Sequence, residues 1–234
     1  MSFLAFIFAI GLIGGYVYLD RKQFEKSAYK RESGNGYLVT RFNKGNYGEY
    51  LSFNKLETIK GHHKTLTNVY IPKGDGKTTE IDLVYIHETG IYVIESKNYS
   101  GWIFGNETSK FWTQTFKTGQ KERFYNPILQ NNTHIKYLSK VLNLQIPNVL
   151  KSIIVFSERC TLKKVEVHSE TVKVVNRYDL IKAIHTFINN SHGVVFTESQ
   201  IEEMYTSLKQ YTNVSEEIKT KHIRNIQDLK DVKY

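Results

Sequence analysis

The chain has 234 residues, 40% of them apolar and 24% charged, which is the composition of a globular protein with room for one or two domains and a sizeable core. A formal charge of +9 and a pI of about 9.3 favour an anionic partner, nucleic acid or an anionic membrane surface, without choosing between them. The single cysteine, Cys160, excludes an intramolecular disulfide and a cysteine-built zinc site.

Residues Met1 to Leu19 carry no charged side chain, and Asp20, Arg21 and Lys22 follow at once. This predicts a membrane anchor of about the minimum spanning length. No basic region precedes the apolar run and no A-x-A type site follows it, so an uncleaved anchor is favoured over a signal peptide. Arg21, Lys22, Lys26, Lys30 and Arg31 lie just beyond, which places a single-pass protein in the cell membrane with its C-terminal part in the cytoplasm. Residues 20–40 read as a basic juxtamembrane linker, with Gly34, Asn35 and Gly36 as its break.

From Asn46 to Lys60 the spacing of Tyr50, Phe53, Leu56 and Ile59 predicts a helix, with Glu49 on the face of Phe53 and Leu56. An acid there suits the positive end of the helix dipole, which by itself explains Glu49 better than chemistry does. His62 and His63 read as loop residues, Thr65 to Ile71 as a strand, and Pro72 to Gly76 as a turn.

Next come two strands, Ile81 to Ile86 and Ile91 to Ile94, joined at His87 to Gly90. With Glu88 and Thr89 as the loop, His87 pairs with Gly90, and the register sets Asp82 opposite Glu95 and Glu80 opposite Lys97. Asp82, Val84 and Ile86 then share a face with Ile91, Val93, Glu95 and Lys97. Two carboxylates roughly 4.5 to 5.5 Å apart repel, and a divalent cation such as Mg²⁺ would offset the repulsion. The same pattern also suits an exposed hairpin end with a Glu80 to Lys97 pair and two solvated acids.

A further hairpin follows, with Gly105 and Asn106 near its turn and Trp102 and Trp112 as packing residues. Asn126 and Pro127 start a helix to about Leu142, whose stripe of Ile128, Ile135, Leu138 and Leu142 faces the core, with Gln130 and His134 on neighbouring faces. Ser152 to Phe156 and Thr171 to Val175 read as strands, Tyr178 to Ile188 and Glu198 to Tyr211 as helices. The tail 213–234 is either an amphipathic helix or loosely ordered.

The order GNYGEY, TEIDLV, GIYVIESKN with SGWIFG, then NPILQN resembles the nuclease-related domain (NERD) family, a bacterial branch of the restriction-endonuclease-like superfamily with a D and ExK signature. The resemblance covers about Arg41 to Phe156, and Ser96 stands where the family often has Thr. It implies an α/β fold, a restriction-endonuclease-like core with a central mixed sheet flanked by helices. It also implies that Asp82 and Glu95, with Glu49, are metal ligands for Mg²⁺ or Mn²⁺, that Lys97 is the catalytic lysine, and that Gln130 is an accessory polar residue.

The expected plan is an anchor at 1–19, a linker at 20–40, the nuclease-related domain at 41–157, an α/β extension at 158–212 packed on it, and the polar tail. The expected function is membrane-anchored, metal-dependent hydrolysis of DNA or RNA. The alternative is a nucleic-acid-binding or membrane scaffold module of the same fold that does not cut.

Overall fold

Asparagine caps begin the two helices that frame the hairpin, and runs of β-branched and aromatic residues make its strands. The computed structural model describes residues 3–191 and 193–231. Its elements, in chain order, open with α1 (Phe3–Lys26), α2 (Ala28–Ser33), α3 (Tyr37–Phe42) and α4 (Lys44–Leu56). β1 (His63–Gly74), β2 (Lys77–His87), β3 (Gly90–Lys97), β4 (Gly101–Asn106), β5 (Phe111–Thr115) and β6 (Lys121–Tyr125) follow. After α5 (Pro127–Val141) come β7 (Leu150–Phe156), β8 (Cys160–Glu166), β9 (Val172–Asn176), α6 (Leu180–Asn189), α7 (Glu198–Lys209) and α8 (Glu216–Asp231).

Two mixed sheets result. The larger has the order β1-β2-β3-β7-β9, antiparallel from β1 to β3 and parallel from β3 to β9; the smaller has the order β6-β5-β4-β8. Strand alternation gives the larger sheet two apolar faces. Leu83, Tyr85, Tyr92 and Ile94 pack under α4 and α6, while Val84, Ile86, Ile91 and Val93 pack under α5 and α7. Between the sheets Trp112 stacks on Phe156 with ring centroids 6.1 Å apart. Trp102, expected to pack likewise, is 44% exposed, because Ile103 next to it takes the inward side of β4.

Two further expectations are corrected. Residues 20–40 are no loose linker but the end of α1 with α2 and α3, since Phe24 and Tyr29 among the charges are fully buried, edge to face at 6.3 Å. Asp20 ties α1 down by accepting the Tyr37 hydroxyl at 2.6 Å and pairing with Arg41. His63 opens β1 rather than lying in a loop.

Among the described residues no helix is long and apolar enough to cross a membrane, so the spanning anchor at 1–19 is not borne out. The uncharged part of α1, Phe3 to Leu19, reaches about 26 Å at about 1.5 Å per residue, against about 30 Å of hydrocarbon. Met1 and Ser2 of that segment, and Val232 to Tyr234 of the tail, lie outside the described residues.

One side chain locks the smaller sheet to the start of α5. Asn126 is fully buried; its Oδ1 accepts the Ile128 N–H at 2.9 Å, capping α5, and its Nδ2 lies within hydrogen-bond reach of the carbonyls of Asn106, Glu107 and Ser109 at 3.2, 3.0 and 2.7 Å. The β4–β5 turn and the start of α5 are thereby held together.

Candidate active site

The hairpin β2–β3 has the register that its turn residues dictate, with His87 opposite Gly90, Ile86 opposite Ile91 and Val84 opposite Val93. The ladder stops at Leu83 and Ile94, one position short of Asp82. There the Asp82 side chain takes over, its Oδ2 accepting the Ser96 N–H at 2.7 Å. On the other side β1 pairs Thr67 with Leu83 and Val69 with Ile81 but skips Asn68, whose φ is +52°. Asparagine is among the few residues that take this left-handed conformation readily. Asp82 thus sits where the sheet is interrupted on both flanks, with its carboxylate at the gap.

Glu95 is 3% exposed and fully engaged. Its Oε1 accepts Lys97 Nζ at 2.6 Å and Gln130 Nε2 at 2.7 Å, and Lys97 Nζ also donates to Gln130 Oε1 at 3.0 Å, closing a three-residue ring. Its Oε2 faces His134 Nε2 at 3.0 Å, and His134 Nδ1 faces Thr79 Oγ1 at 2.7 Å. A carboxylate only accepts, so His134 Nε2 carries the hydrogen of that bond. Gln130 and His134 reach Glu95 together because they stand four residues apart on one face of α5. Glu80 does not meet Lys97: with the ladder ended, its Oε1 accepts the Tyr70 hydroxyl at 2.7 Å and its Oε2 faces His222 Nε2 at 3.6 Å.

Glu49 reaches the same end of the sheet from α4, in the opposite layer. It is buried, and its Oε2 has no hydrogen-bond partner. Burial, then the charges of Glu80 and Glu95, push its carboxyl up to about 8, so it is protonated at neutral pH. Asp82 is raised well above the carboxylate range by burial and by Glu95 and Glu49. Glu95 moves the other way: burial works against its charge, but Lys97 and His134 outweigh it and hold it at about 2. For Lys97, burial opposes the ammonium, and Glu95 and Asp82 more than restore it, so it stays charged.

The expected set of Glu49, Asp82, Glu95, Lys97 and Gln130 is therefore gathered in one place, and His134, Thr79 and Asn68 join it. Among the described residues no three carboxylates, imidazoles or thiols stand close enough to hold a metal between them. In this arrangement the Lys97 ammonium occupies one oxygen of Glu95. The donor chemistry nonetheless suits a hard cation: carboxyl oxygens predominate, one Glu49 oxygen has no partner, and two of the three carboxyls are held against their ionisation.

The nuclease-related domain model matches residues 44–157, from the first turn of α4 to just past β7, which takes in every one of these groups. The chain is also 34% identical over 183 residues to the uncharacterized protein pXO1-01 of Bacillus anthracis, covering 77% of this chain and 82% of that protein. The chain belongs to the NERD family. No solved structure matches it. In this NERD protein the site lies in a cleft of about 720 Å³, lined by Asp82, Lys97, Gln130 and His134, by Phe111 and Arg123 of the smaller sheet, and by His222 of α8.

His134 was legible only as a helix position, yet it supplies the hydrogen bond to the inner oxygen of Glu95. His134→Ala is expected to destabilise the fold by about 2–4 kcal/mol, a buried acceptor being left unpaired beside a new cavity, which lowers the melting temperature by about 5–15 °C. His134→Gln, which can still donate, should recover part of the loss. An unchanged melting temperature in His134→Ala would show that Glu95 does not depend on this bond.

Proposed function

We propose that this NERD protein is a metal-dependent phosphodiesterase that hydrolyses nucleic acid, DNA before RNA. The observation that carries the reading is the convergence of Asp82, Glu95 and Lys97 at the interrupted end of one hairpin, with Asp82 and Lys97 lining a cleft. Asp82 and Glu95 would hold Mg²⁺ or Mn²⁺, with the Glu49 carboxyl in support, and such a cation would supply Lewis-acid chemistry toward a phosphodiester and a water.

The chain's own groups divide the remaining work. Lys97 is kept protonated by its neighbours, so it acts as a positive charge toward the phosphoryl oxygens and is no general base. Gln130 orients both Lys97 and Glu95. Glu49 holds a proton that a cation would have to displace, so cation binding is expected to tighten as pH rises toward about 8.

A second reading, a nucleic-acid-binding module that does not cut, is favoured by the Lys97 to Glu95 clamp, which stands where a cation would bind. Incubating the full chain with DNA and RNA, in Mg²⁺ and in chelator, separates the two. Cleavage that needs Mg²⁺ and disappears in Lys97→Ala supports the enzyme; tight binding with no cleavage supports the module. For either, affinity is expected to fall with salt at a log–log slope of about −0.9 per phosphate neutralised on duplex and about −0.7 on single strands. Salt-insensitive binding would remove nucleic acid as the partner.

We also place the protein at the cytoplasmic side of a membrane. Supporting this, Phe8, Leu12, Ile13, Tyr16 and Leu19 of α1 are exposed apolar side chains, with Arg21 and Lys22 just beyond them. Recovery of the protein wholly in the soluble fraction of lysed cells would count against it.

A further inference from the structure

The catalytic groups lie deep. Glu95 is 3% exposed and the Lys97 side chain 18%, so a scissile phosphate must descend into the cleft to meet them. The cleft measures about 720 Å³, within the roughly 300–1,000 Å³ typical of pockets that enclose a small molecule. A duplex keeps its bases paired and stacked inside, offering only backbone and groove edges to the lining of such a space. A single strand offers the faces of its bases.

The lining has the matching chemistry. Phe111, at the start of β5, is half-buried and carries the Arg123 guanidinium 4.8 Å from its ring centre, and Tyr125 stands edge-on to it at 6.3 Å. Lys73 and Lys77, near the β1–β2 turn, line the same cleft. Aromatic rings beside a basic track are how single strands are held without regard to sequence. Of the acids that line the cleft besides Asp82, Glu80 is engaged by the Tyr70 hydroxyl and faces His222, while Glu122 accepts from Gln120 Nε2 at 3.2 Å. α8, docked on β2 through His222 Nδ1 and Thr78 Oγ1 at 3.0 Å, brings Asn225 and Ile226 to the lining and narrows the approach.

We propose that the cleft takes a single strand of nucleic acid, with bases against Phe111 and Tyr125 and backbone along Lys73, Lys77 and Arg123, and that it does not admit duplex. The placement of the strand over Asp82, Glu95 and Lys97 rests on the phosphodiesterase reading. The preference for single strands does not.

Fluorescence anisotropy on the full chain in chelator, where nothing is cut, tests it. The probes are a labelled DNA 12-mer, its blunt duplex and an RNA of the same sequence. The single-stranded DNA is expected to bind at least about tenfold more tightly than the duplex, and Phe111→Ala to weaken it by about tenfold while leaving duplex binding unchanged. Should Phe111→Ala fail to fold, Arg123→Gln, an exposed change, is expected to weaken single-strand binding and to flatten its salt slope by about 0.7. The RNA arm decides which sugar is preferred. Duplex binding equal to or tighter than single-strand binding overturns the proposal, whatever the cleavage assay gives. Single-strand preference without any Mg²⁺-dependent cleavage would instead keep it and remove the enzyme reading.

Discussion

Lys97→Ala is expected to lower Mg²⁺-dependent cleavage by about a hundredfold to a thousandfold, the loss typical of removing one transition-state donor, and to destabilise the metal-free protein by roughly 3–5 kcal/mol. The stability loss follows from the clamp: without the ammonium, a carboxylate that is 3% exposed keeps only Gln130 and His134. Mg²⁺ should restore much of that stability, because a cation can take the vacated oxygen. Asp82→Asn should move the other way. It should also abolish cleavage, yet Asn retains an acceptor for the Ser96 N–H and removes a carboxyl that its neighbours resist ionising, so the metal-free fold should be as stable as wild type or slightly more so. Cleavage rates, melts in chelator and Mg²⁺ titrations on the three proteins check both. Full activity in Asp82→Asn would sink the site, and a large stability loss there would make Asp82 a structural residue.

Between pH 4.5 and 8 the folded metal-free chain should lose stability as pH rises, because Glu49 holds a proton that the unfolded chain has released. A carboxyl raised from 4.5 to about 8 makes this an effect of a few kcal/mol across that window. Glu95 acts in the opposite sense: held at about 2, it contributes stability above 4.5 that is lost as pH falls toward 2. Glu49→Gln keeps the shape of the protonated acid and cannot ionise, so its stability should change much less between pH 5 and 8 and exceed that of wild type at pH 8. Asp82, also raised, leaves a residual slope. Urea melts of both proteins across this range measure it, and parallel curves would show that Glu49 is ionised and solvated in the fold.

The parts of this architecture that were legible in sequence are those set by period and by turns. The His87 to Gly90 register follows from counting, and Asn126 with Pro127 marks the start of α5. Residues such as β6, KERFY, and β8, CTLKKVE, escaped notice because edge strands carry charges that hide the apolar alternation. With them went the smaller sheet and hence the wall of the cleft. At the site, the residue types and their shared face were readable, but the partner of Lys97 was not. Counting in register set it against Glu80, whereas the ladder ends early and the side chain turns to Glu95 in its own strand. The left-handed backbone at Asn68 has no period to betray it.

The buried amide of Asn126 is a mooring point between the smaller sheet and α5. The β4–β5 turn and the first turn of α5 share one side chain, and Gln130 and His134 ride on that helix. The smaller sheet, which carries Phe111 and Arg123, is therefore moored through one amide to the helix that presents Gln130 and His134 to the two oxygens of Glu95.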